Sequence, residues 1–335
     1  MLRVLLAFAG AFLVSIVNFS ARAEVDRVRI SRGFSTAYLP LMVMQDRKLL
    51  EKHTRAIGLD PITVEWKALD GGNVINDAML AGTLDIAGTG VPGFITLWSK
   101  ARNVPSAAVI GISALSGGAL WLNTNKPSVK TLEDFGPGDK IALPGIKTSY
   151  AAVALQMVAA KEFGVAKATQ LDVLTVGLAH PEAFTALTSG KTEITAHFSS
   201  PPFSYKEIKF ANIHRVLSTR DVLGPLTLLV NFASKRFADA NPRLVEAFMA
   251  AQSEANALIT TDKEEAAAIY LRVSGVKLSH DEIIEILKDP ENTFSLNPEG
   301  MMAYADFMAQ TGMIKTKPKM WQDLFVNKMQ EYSRN

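Results

Sequence analysis

A glycine-rich stretch is the first feature of this sequence that could bind a ligand. Gly88-Thr89-Gly90 follows a short apolar run of the length of a buried strand, and Pro92 suits the first turn of a helix. A strand that passes through such a loop into a helix aims backbone N–H groups and a helix N-terminus at one place. That arrangement favours an anion or a polar ligand, although an ordinary turn of an α/β protein also fits these residues.

A helix must precede this stretch. Val74 and Ala78 lie four residues apart, as do Ile75 and Met79, so each pair shares one face of a helix. Gly82 then stands where a helix end requires a positive φ, which glycine adopts at low cost. The predicted order is therefore helix, tight turn, strand, glycine-rich loop and helix.

Similar strand-to-helix junctions recur along the chain. Strands are predicted at 28–30, 62–66, 84–87, 107–112, 119–123, 140–145, 171–176, 193–198, 214–217 and 225–232. Helices are predicted at 38–50, 74–81, 94–101, 150–163, 182–188, 242–260, 263–272, 281–287, 298–311 and 320–332, with Asn73 as an N-cap. The repeated β-α-β order predicts an α/β protein with parallel strands, divided at Ser116-Gly117-Gly118 into two sets.

Composition restricts the class of protein. An apolar run from Val4 to Phe19 precedes Ala21-Arg22-Ala23, which predicts a secretory signal peptide over 1–23 and a mature chain from Glu24. The cleavage site has no Cys, so no lipid anchor is expected. Removing Arg3 and Arg22 takes the 35 Lys and Arg to 33, equal to the 33 Asp and Glu, which argues against nucleic-acid binding. The chain has 0 Cys, which excludes disulfides and thiolate metal sites.

The order of several motifs resembles a known family. They are Gly33-Phe34-Ser35-Thr36-Ala37-Tyr38-Leu39-Pro40, Gly71-Gly72, Leu80-Ala81-Gly82-Thr83-Leu84-Asp85-Ile86-Ala87, Thr131-Leu132-Glu133-Asp134-Phe135, Ile141-Ala142-Leu143-Pro144-Gly145 and Asn241-Pro242. This order is similar to that of the substrate-binding proteins of ABC importers in the nitrate/sulfonate/taurine group, over essentially the whole mature chain.

The resemblance implies a two-lobe type II periplasmic-binding-protein fold. Each lobe would hold a mixed, mainly parallel sheet flanked by helices, with further helices at the C-terminus. The first lobe would comprise 24–113 and 226–335, and the second would comprise 114–225. The lobes would hinge around a solute in the cleft between them, at the carboxyl ends of the strands.

The residues expected in that cleft lie at strand-to-helix junctions of both lobes. From the first lobe they are Phe34, Thr36, Tyr38, Gly72, Asn73, Thr89, Gly90 and Val91, and from the second they are Lys147, Thr148, Ser149, His197, Ser199 and Ser200, with Gly224 near the hinge. Each has a structural alternative: Thr148 and Ser149 also suit helix caps, Lys147 a solvated loop charge, and His197 a structural histidine. Arg32 and Lys147 are the obvious cationic loop residues, so the cleft favours a neutral or weakly charged solute.

The resemblance implies a periplasmic, monomeric protein that binds a small organic or oxyanion solute and delivers it to an ABC permease and its ATPase. No cofactor, metal or nucleic acid is expected. A solute receptor that signals through a membrane sensor remains an alternative. An enzyme is less favoured, because the related pyrimidine-precursor synthase carries a Cys-rich motif and this chain has 0 Cys. A hydrolase built on His197 and Ser199 would have no Gly-x-Ser-x-Gly elbow.

Overall fold

The computed structural model describes residues 24–69, 71–146 and 149–332, which form two α/β lobes. The strands are β1 (Arg27–Arg32), β2 (Thr63–Ala68), β3 (Ile86–Gly90), β4 (Val109–Gly117), β5 (Trp121–Thr124), β6 (Ile141–Leu143), β7 (Thr175–Gly177), β8 (Ala196–Ser199), β9 (His214–Ser218) and β10 (Thr227–Ser234). The predicted signal peptide, Lys147 and Thr148 lie outside the described residues.

The helices alternate with the strands and then fill the C-terminal part of the chain. They are α1 (Leu39–Arg47), α2 (Leu49–Ala56), α3 (Gly72–Leu80), α4 (Val91–Ala101), α5 (Tyr150–Phe163), α6 (His180–Ser189), α7 (Phe203–Glu207), α8 (Thr219–Leu223), α9 (Lys235–Ala240), α10 (Pro242–Thr261), α11 (Lys263–Ser274), α12 (His280–Lys288), α13 (Met301–Gln310) and α14 (Asn327–Tyr332). Short 3-10 helices lie at Thr36–Tyr38, Leu132–Asp134, Val165–Lys167, Asp172–Leu174 and Trp321–Leu324.

The first lobe is built on a sheet with the order β2-β1-β3-β10-β4. β1 pairs in parallel with β2 and β3, whereas β10 runs antiparallel between β3 and β4. The repeated β-α-β pattern correctly predicted that the four N-terminal strands share one direction. The segment predicted as strand 225–232 is β10, which is buried over almost its whole length.

The second lobe repeats this plan with the order β7-β6-β8-β5-β9. β6 pairs in parallel with β7 and β8, and β5 runs antiparallel between β8 and β9. Each sheet is therefore mixed and mainly parallel, as predicted. The chain leaves the first sheet at Gly117 and returns to it at Thr227; the exact division into lobes stays a prediction.

Several local predictions were wrong for identifiable reasons. Gly88-Thr89-Gly90 is the end of β3 and not a loop, because glycine there permits close approach: a Cβ on Gly88 would lie 2.9 Å from Leu41 Cδ1. The predicted helix 38–50 divides at Lys48, which has a φ of 51°. Of the segment predicted as strand 171–176, residues 172–174 form a 3-10 turn and the strand begins only at Thr175. α3 is preceded by Gly71 rather than capped by Asn73.

The C-terminal helices enlarge the core of the first lobe. α10 packs against α1 and α2, α11 against α1, and α13 against α4. The largest fully buried side chains of this core include Tyr270, Tyr304, Phe94, Phe232 and Phe248. Among the described helices, none has both the length and the apolar character needed to cross a membrane.

Candidate functional site

A cleft lies where the loops at the carboxyl ends of the two sheets face each other. Its cavity volume is about 50 Å³. The residues that line it are Ser35, Ala37, Tyr38, Gly71, Gly72, Ile75, Thr89, Gly90, Leu120, Pro144, Ser149, Tyr150, Ala151, His180, Ser200, Leu228 and Leu229. A neighbouring cavity of about 240 Å³ shares Gly71, Gly72, Pro144 and Ser149 with the cleft and is also lined by Asn73.

The first lobe contributes mainly backbone to the cleft. Gly71 and Gly72 lie at the start of α3, and Gly90 is the N-cap residue of α4. Both helices therefore begin at the cleft, where their first N–H groups have no intrahelical acceptor. The hydroxyl of Thr89 is fully buried and has no hydrogen-bond partner within the described part of the chain. These groups can serve polar atoms of a small solute.

The second lobe contributes polar side chains. Ser149 is both the N-cap of α5 and a cleft residue: its hydroxyl accepts a hydrogen bond from the backbone N–H of Ala152 at 3.1 Å. Ser200 follows β8 and His180 begins α6, and both reach the cleft. Ser200 Oγ lies 3.0 Å from His180 Nε2. This hydroxyl–imidazole pair was not recognised from the sequence.

The two lobes touch each other directly beside the cleft. A Cβ on Gly90 would lie only 2.6 Å from the Cβ of Tyr150, so the first residue of α5 rests against the end of β3. The backbone N–H and the hydroxyl of Thr36 both donate to the carbonyl of Pro201, each at 3.1 Å. Thr36 therefore joins the lobes rather than lining the cavity.

Tyr38 lies at the floor of the cleft within the first lobe. A Cβ on Gly33 would come within 2.4 Å of its ring, and one on Gly88 within 3.2 Å. Two glycines therefore make room for the aromatic ring, which is only 6% exposed. Tyr38 can contact a solute, and it also supports the packing of the first sheet.

The remaining predicted residues lie around the cleft. Phe34 is half-buried, and its carbonyl accepts a hydrogen bond from Tyr270 at 2.9 Å. Val91 is fully buried in the first turn of α4, and Gly224 ends α8 with a φ of 77°. Ser199 is fully buried, and its hydroxyl has no partner among the described residues. None of these four is among the residues that line the cavity.

His197 lies one layer behind the cleft. Its Nε2 is 2.9 Å from Nδ1 of His180, and its Nδ1 is 2.5 Å from Oε1 of Glu207. Burial, with a smaller contribution from His197, holds the pKa of His180 well below its ordinary value. The sequence signal for His180 was its place between a strand that ends at Gly177 and Pro181 at the start of a helix, the same kind of junction that identified Thr89 and Ser200.

The cationic side chain predicted near the first loop does not serve the cleft. Arg32 is 7% exposed, and its guanidinium donates to the side chain of Gln45 at 2.8 Å and to the carbonyl of Val273 at 3.0 Å. Arg32 therefore ties β1 to the helices. Among the described residues that line the cleft, none is Lys or Arg. Among the described residues, moreover, no group of His, Asp and Glu is arranged to hold a metal ion.

Comparison with known proteins identifies relatives. A family model described as the NMT1-like family matches residues 21–273. The comparison with curated protein sequences found no match.

Solved structures with the same fold include two binding proteins of sulfonates. The alkanesulfonate-binding protein SsuA from Xanthomonas axonopodis pv. citri, bound to MOPS, is 19% identical, with a TM-score of 0.69 over 88% of this chain and 96% of that one. The aliphatic sulphonate binding protein SsuA from Escherichia coli is 17% identical, with a TM-score of 0.62 over 90% and 93% of the two chains.

A third similar structure has a different ligand in its name. The periplasmic nitrate-binding protein NrtA from Synechocystis PCC 6803 is 13% identical, with a TM-score of 0.73 over 92% of this chain and 88% of that one. At these identities the likeness shows the fold alone. The chain therefore has the two-lobe type II periplasmic-binding-protein fold that the motif order predicted.

Proposed function

The chain belongs to the NMT1-like family, and from this membership, the fold and the cleft we propose that it is the periplasmic solute-binding component of an ABC importer. It captures a small organic or oxyanion solute between its lobes and delivers it to a membrane permease, which an ATPase drives. The sulfonate- and nitrate-binding proteins of the same fold support this class of function.

The observation that carries the proposal is the convergence of both lobes on one cleft. The N-termini of α4 and α5 meet there, with Gly90 from one lobe against Tyr150 from the other. A cleft that two lobes close together encloses a solute and changes shape on binding it. The same change of shape is what a permease can detect.

We place the mature protein in the periplasm as a monomer that begins at Glu24. The carboxylate of Glu24 accepts hydrogen bonds from the backbone N–H groups of Arg243 at 2.9 Å and Leu244 at 2.7 Å, at the start of α10. An acidic side chain at a helix N-terminus is stabilising. Glu24, the residue that follows the predicted cleavage site, therefore belongs to the folded first lobe.

A solute screen tests the proposal. The melting temperature of the mature protein is measured with a library of sulfonates and carboxylates, the neutral amides of both, and inorganic anions. Each solute that raises the melting temperature is then titrated by calorimetry. A solute that binds only the folded protein raises the melting temperature by mass action. Small-angle scattering should then show a more compact protein. If no member of the library shifted the melting temperature or the scattering, solute capture would be the wrong function.

A further inference from the structure

A chain of hydrogen bonds runs from the cleft into the second lobe. Ser200 Oγ is 3.0 Å from His180 Nε2, His180 Nδ1 is 2.9 Å from His197 Nε2, and His197 Nδ1 is 2.5 Å from Glu207 Oε1. We call these four side chains the relay. Each is at most 6% exposed. Only its outer end, Ser200 with His180, belongs to the cleft.

The surrounding structure fixes the geometry of the relay. Asn123 of β5 donates from Nδ2 to Oε2 of Glu207 at 2.8 Å, so the inner carboxylate is held at both oxygens. The ring of His180 stacks on Phe203, with the centroids 5.8 Å apart and the planes at 19°. The relay therefore has little freedom to break a bond by rotating a side chain.

Counting protons sets the direction of every hydrogen bond in the relay. With Glu207 ionised and both imidazoles neutral, the relay has three protons, one on each imidazole and one on the hydroxyl of Ser200. Each of its three hydrogen bonds therefore uses one of them. Because the carboxylate can only accept, His197 must donate to it from Nδ1, His180 must donate to His197, and Ser200 must donate to His180. In this state the hydroxyl of Ser200 offers only its lone pairs to the cleft.

One additional proton reverses the outer end. That proton can sit on either imidazole or on Glu207. In each case a proton bound to nitrogen or to the carboxyl group fills the Glu207–His197 contact, and a nitrogen-bound proton fills the His197–His180 contact. His180 then donates from Nε2 to Ser200. The O–H of Ser200 is released, and it can donate to a solute in the cleft. The proton count of the relay thus decides whether Ser200 accepts from a solute or donates to it.

Around the relay, the charged and titratable side chains on the described helices are exposed or hydrogen-bonded to other groups. The other titratable groups on the helices packed around it are Tyr150, Lys161 and Glu162 on α5, Glu182 on α6, and Tyr205 and Lys206 on α7. Lys161, Glu162 and Glu182 are exposed, and Lys206 donates to the carbonyl of Lys277 at 3.1 Å. The hydroxyl of Tyr205 donates to Asp289.

The cleft therefore lacks a fixed cation among its described lining residues but has a group that can become cationic. Burial, with a smaller contribution from His197, depresses the pKa of His180, which disfavours placing the additional proton on its imidazole. As part of this inference we assign the three-proton state to the solute-free protein near neutral pH. A bound anion reverses that preference, because it is stabilised both by an added positive charge and by the released O–H of Ser200.

We propose that the solute is an anion and that its binding is coupled to the uptake of one proton by the Ser200–His180–His197–Glu207 relay. This inference rests on the proposed solute-binding function and deepens it by naming the ligand class. The site then selects an acid in its ionised form over an amide of the same shape. Its affinity rises as the pH falls, by up to about tenfold per pH unit, since one proton is gained per solute.

Nuclear magnetic resonance tests the relay without any solute. Long-range proton–nitrogen spectra at about pH 7.5 should show Nδ1–H tautomers for both His180 and His197. The variant Glu207→Gln should reverse both to Nε2–H. Its amide oxygen can accept from Asn123 and its amide nitrogen can donate to His197. Identical tautomers in the two proteins, or a doubly protonated imidazole in the wild type, would overturn the inference.

Calorimetry tests the coupling with benzenesulfonate and ethanesulfonate as anionic probes, and with the corresponding sulfonamides as neutral ones. Titrations in buffers of different ionisation enthalpy report the protons taken up. The wild type should take up one proton per anion and none per amide. Glu207→Gln should bind the anions with no proton uptake and with an affinity that is independent of pH. His214→Gln is the matched control, since His214 bonds the carbonyl of Val129 outside the relay and the change should leave the uptake unchanged.

The outcomes separate the two proposals. Anion binding without proton uptake in the wild type, or preference for the sulfonamides, would overturn the relay inference while solute capture stands. If neither probe set nor any library member bound, the proposal of solute capture would be wrong. The histidine tautomers would then be the remaining test of the hydrogen-bond directions in the relay.

Discussion

The two lobes share a strand order but contribute different chemistry to the cleft between them. The first lobe presents glycines and helix N-termini, as at Gly72 and Gly90, so its contribution is shape and backbone N–H groups. The second presents Ser149, His180 and Ser200, so its contribution is polar side chains, among them the imidazole of His180. One sheet plan therefore supports a glycine face in the first lobe and a titratable face in the second.

The polar interiors of the lobes differ in the same way. In the first lobe, Gln252 accepts from Ser113 at 2.6 Å and from Asn231 at 3.0 Å, and it donates to the carbonyl of Ala114 at 2.7 Å. None of these groups titrates near neutral pH. In the second lobe the buried polar chain contains two imidazoles and a carboxylate. We therefore expect acid to affect the second lobe and not this network of the first.

The largest effect should follow from breaking the glycine face of the first lobe. Gly90 has a φ of −62°, so Gly90→Val causes no backbone strain, but its Cβ would lie 2.6 Å from the Cβ of Tyr150. The lobes must then separate, and the affinity for the solute should fall by about a hundredfold, or ~2.7 kcal/mol. Calorimetric titration with the solute found in the screen measures the loss.

Gly138→Ala is the control for this change, because a Cβ at that exposed glycine meets no atom within 4 Å. It should bind as the wild type does. Normal affinity in Gly90→Val would mean that the two lobes do not close on the solute at the end of β3.

The second effect concerns the titratable face. Because the pKa of folded His180 lies well below the 6.5 of an ordinary histidine, the unfolded chain takes up a proton that the folded protein does not. Stability is therefore complete above about pH 6.5 and is lost below it, by up to ~1.4 kcal/mol per pH unit for one proton. Urea unfolding of the solute-free protein between about pH 5 and pH 8 should show this slope.

His180→Gln should flatten the slope, since an amide does not titrate. Gln252→Glu would introduce a titratable group into the first lobe's network and should give that lobe an acid dependence of its own. An unchanged slope in His180→Gln would show that the acid sensitivity arises elsewhere in the molecule.

The fold was largely predictable from sequence because its signals are periodic and local. α5 begins and ends at the predicted residues, and β10 was recognised from a continuous apolar run. The errors fell where tertiary packing decides: glycines at 88–90 extend a strand because Tyr38 and Leu41 pack against it. A pattern of residue types cannot show which side chain will occupy the space that a glycine leaves.

The candidate site was less accessible to sequence reasoning. Thr89, Gly90, Ser149 and Ser200 were found because strand-to-helix junctions converge at one edge of a sheet. His180 was missed although it lies at such a junction, because its role depends on its contact with His197, 17 residues away, and on the contact of His197 with Glu207, 10 residues further along the chain. Hydrogen bonds between distant segments leave no periodic signal.

The smallest effect should come from the contact that joins the two faces. Thr36→Val keeps the shape of the side chain and the backbone N–H bond to Pro201 but removes the hydroxyl bond to the same carbonyl. A neutral hydrogen bond contributes about 1 kcal/mol, so the affinity should weaken by about fivefold while each lobe keeps its stability. Thr54→Val is the matched control: it removes a hydroxyl bond to the carbonyl of Leu50 inside α2, which costs stability but leaves the cleft untouched. Titration of both variants with the same solute compares them. Equal affinities in the two would show that the Thr36 hydroxyl does not contribute to closing the lobes. The glycine face and the titratable face would then meet without help from this hydrogen bond.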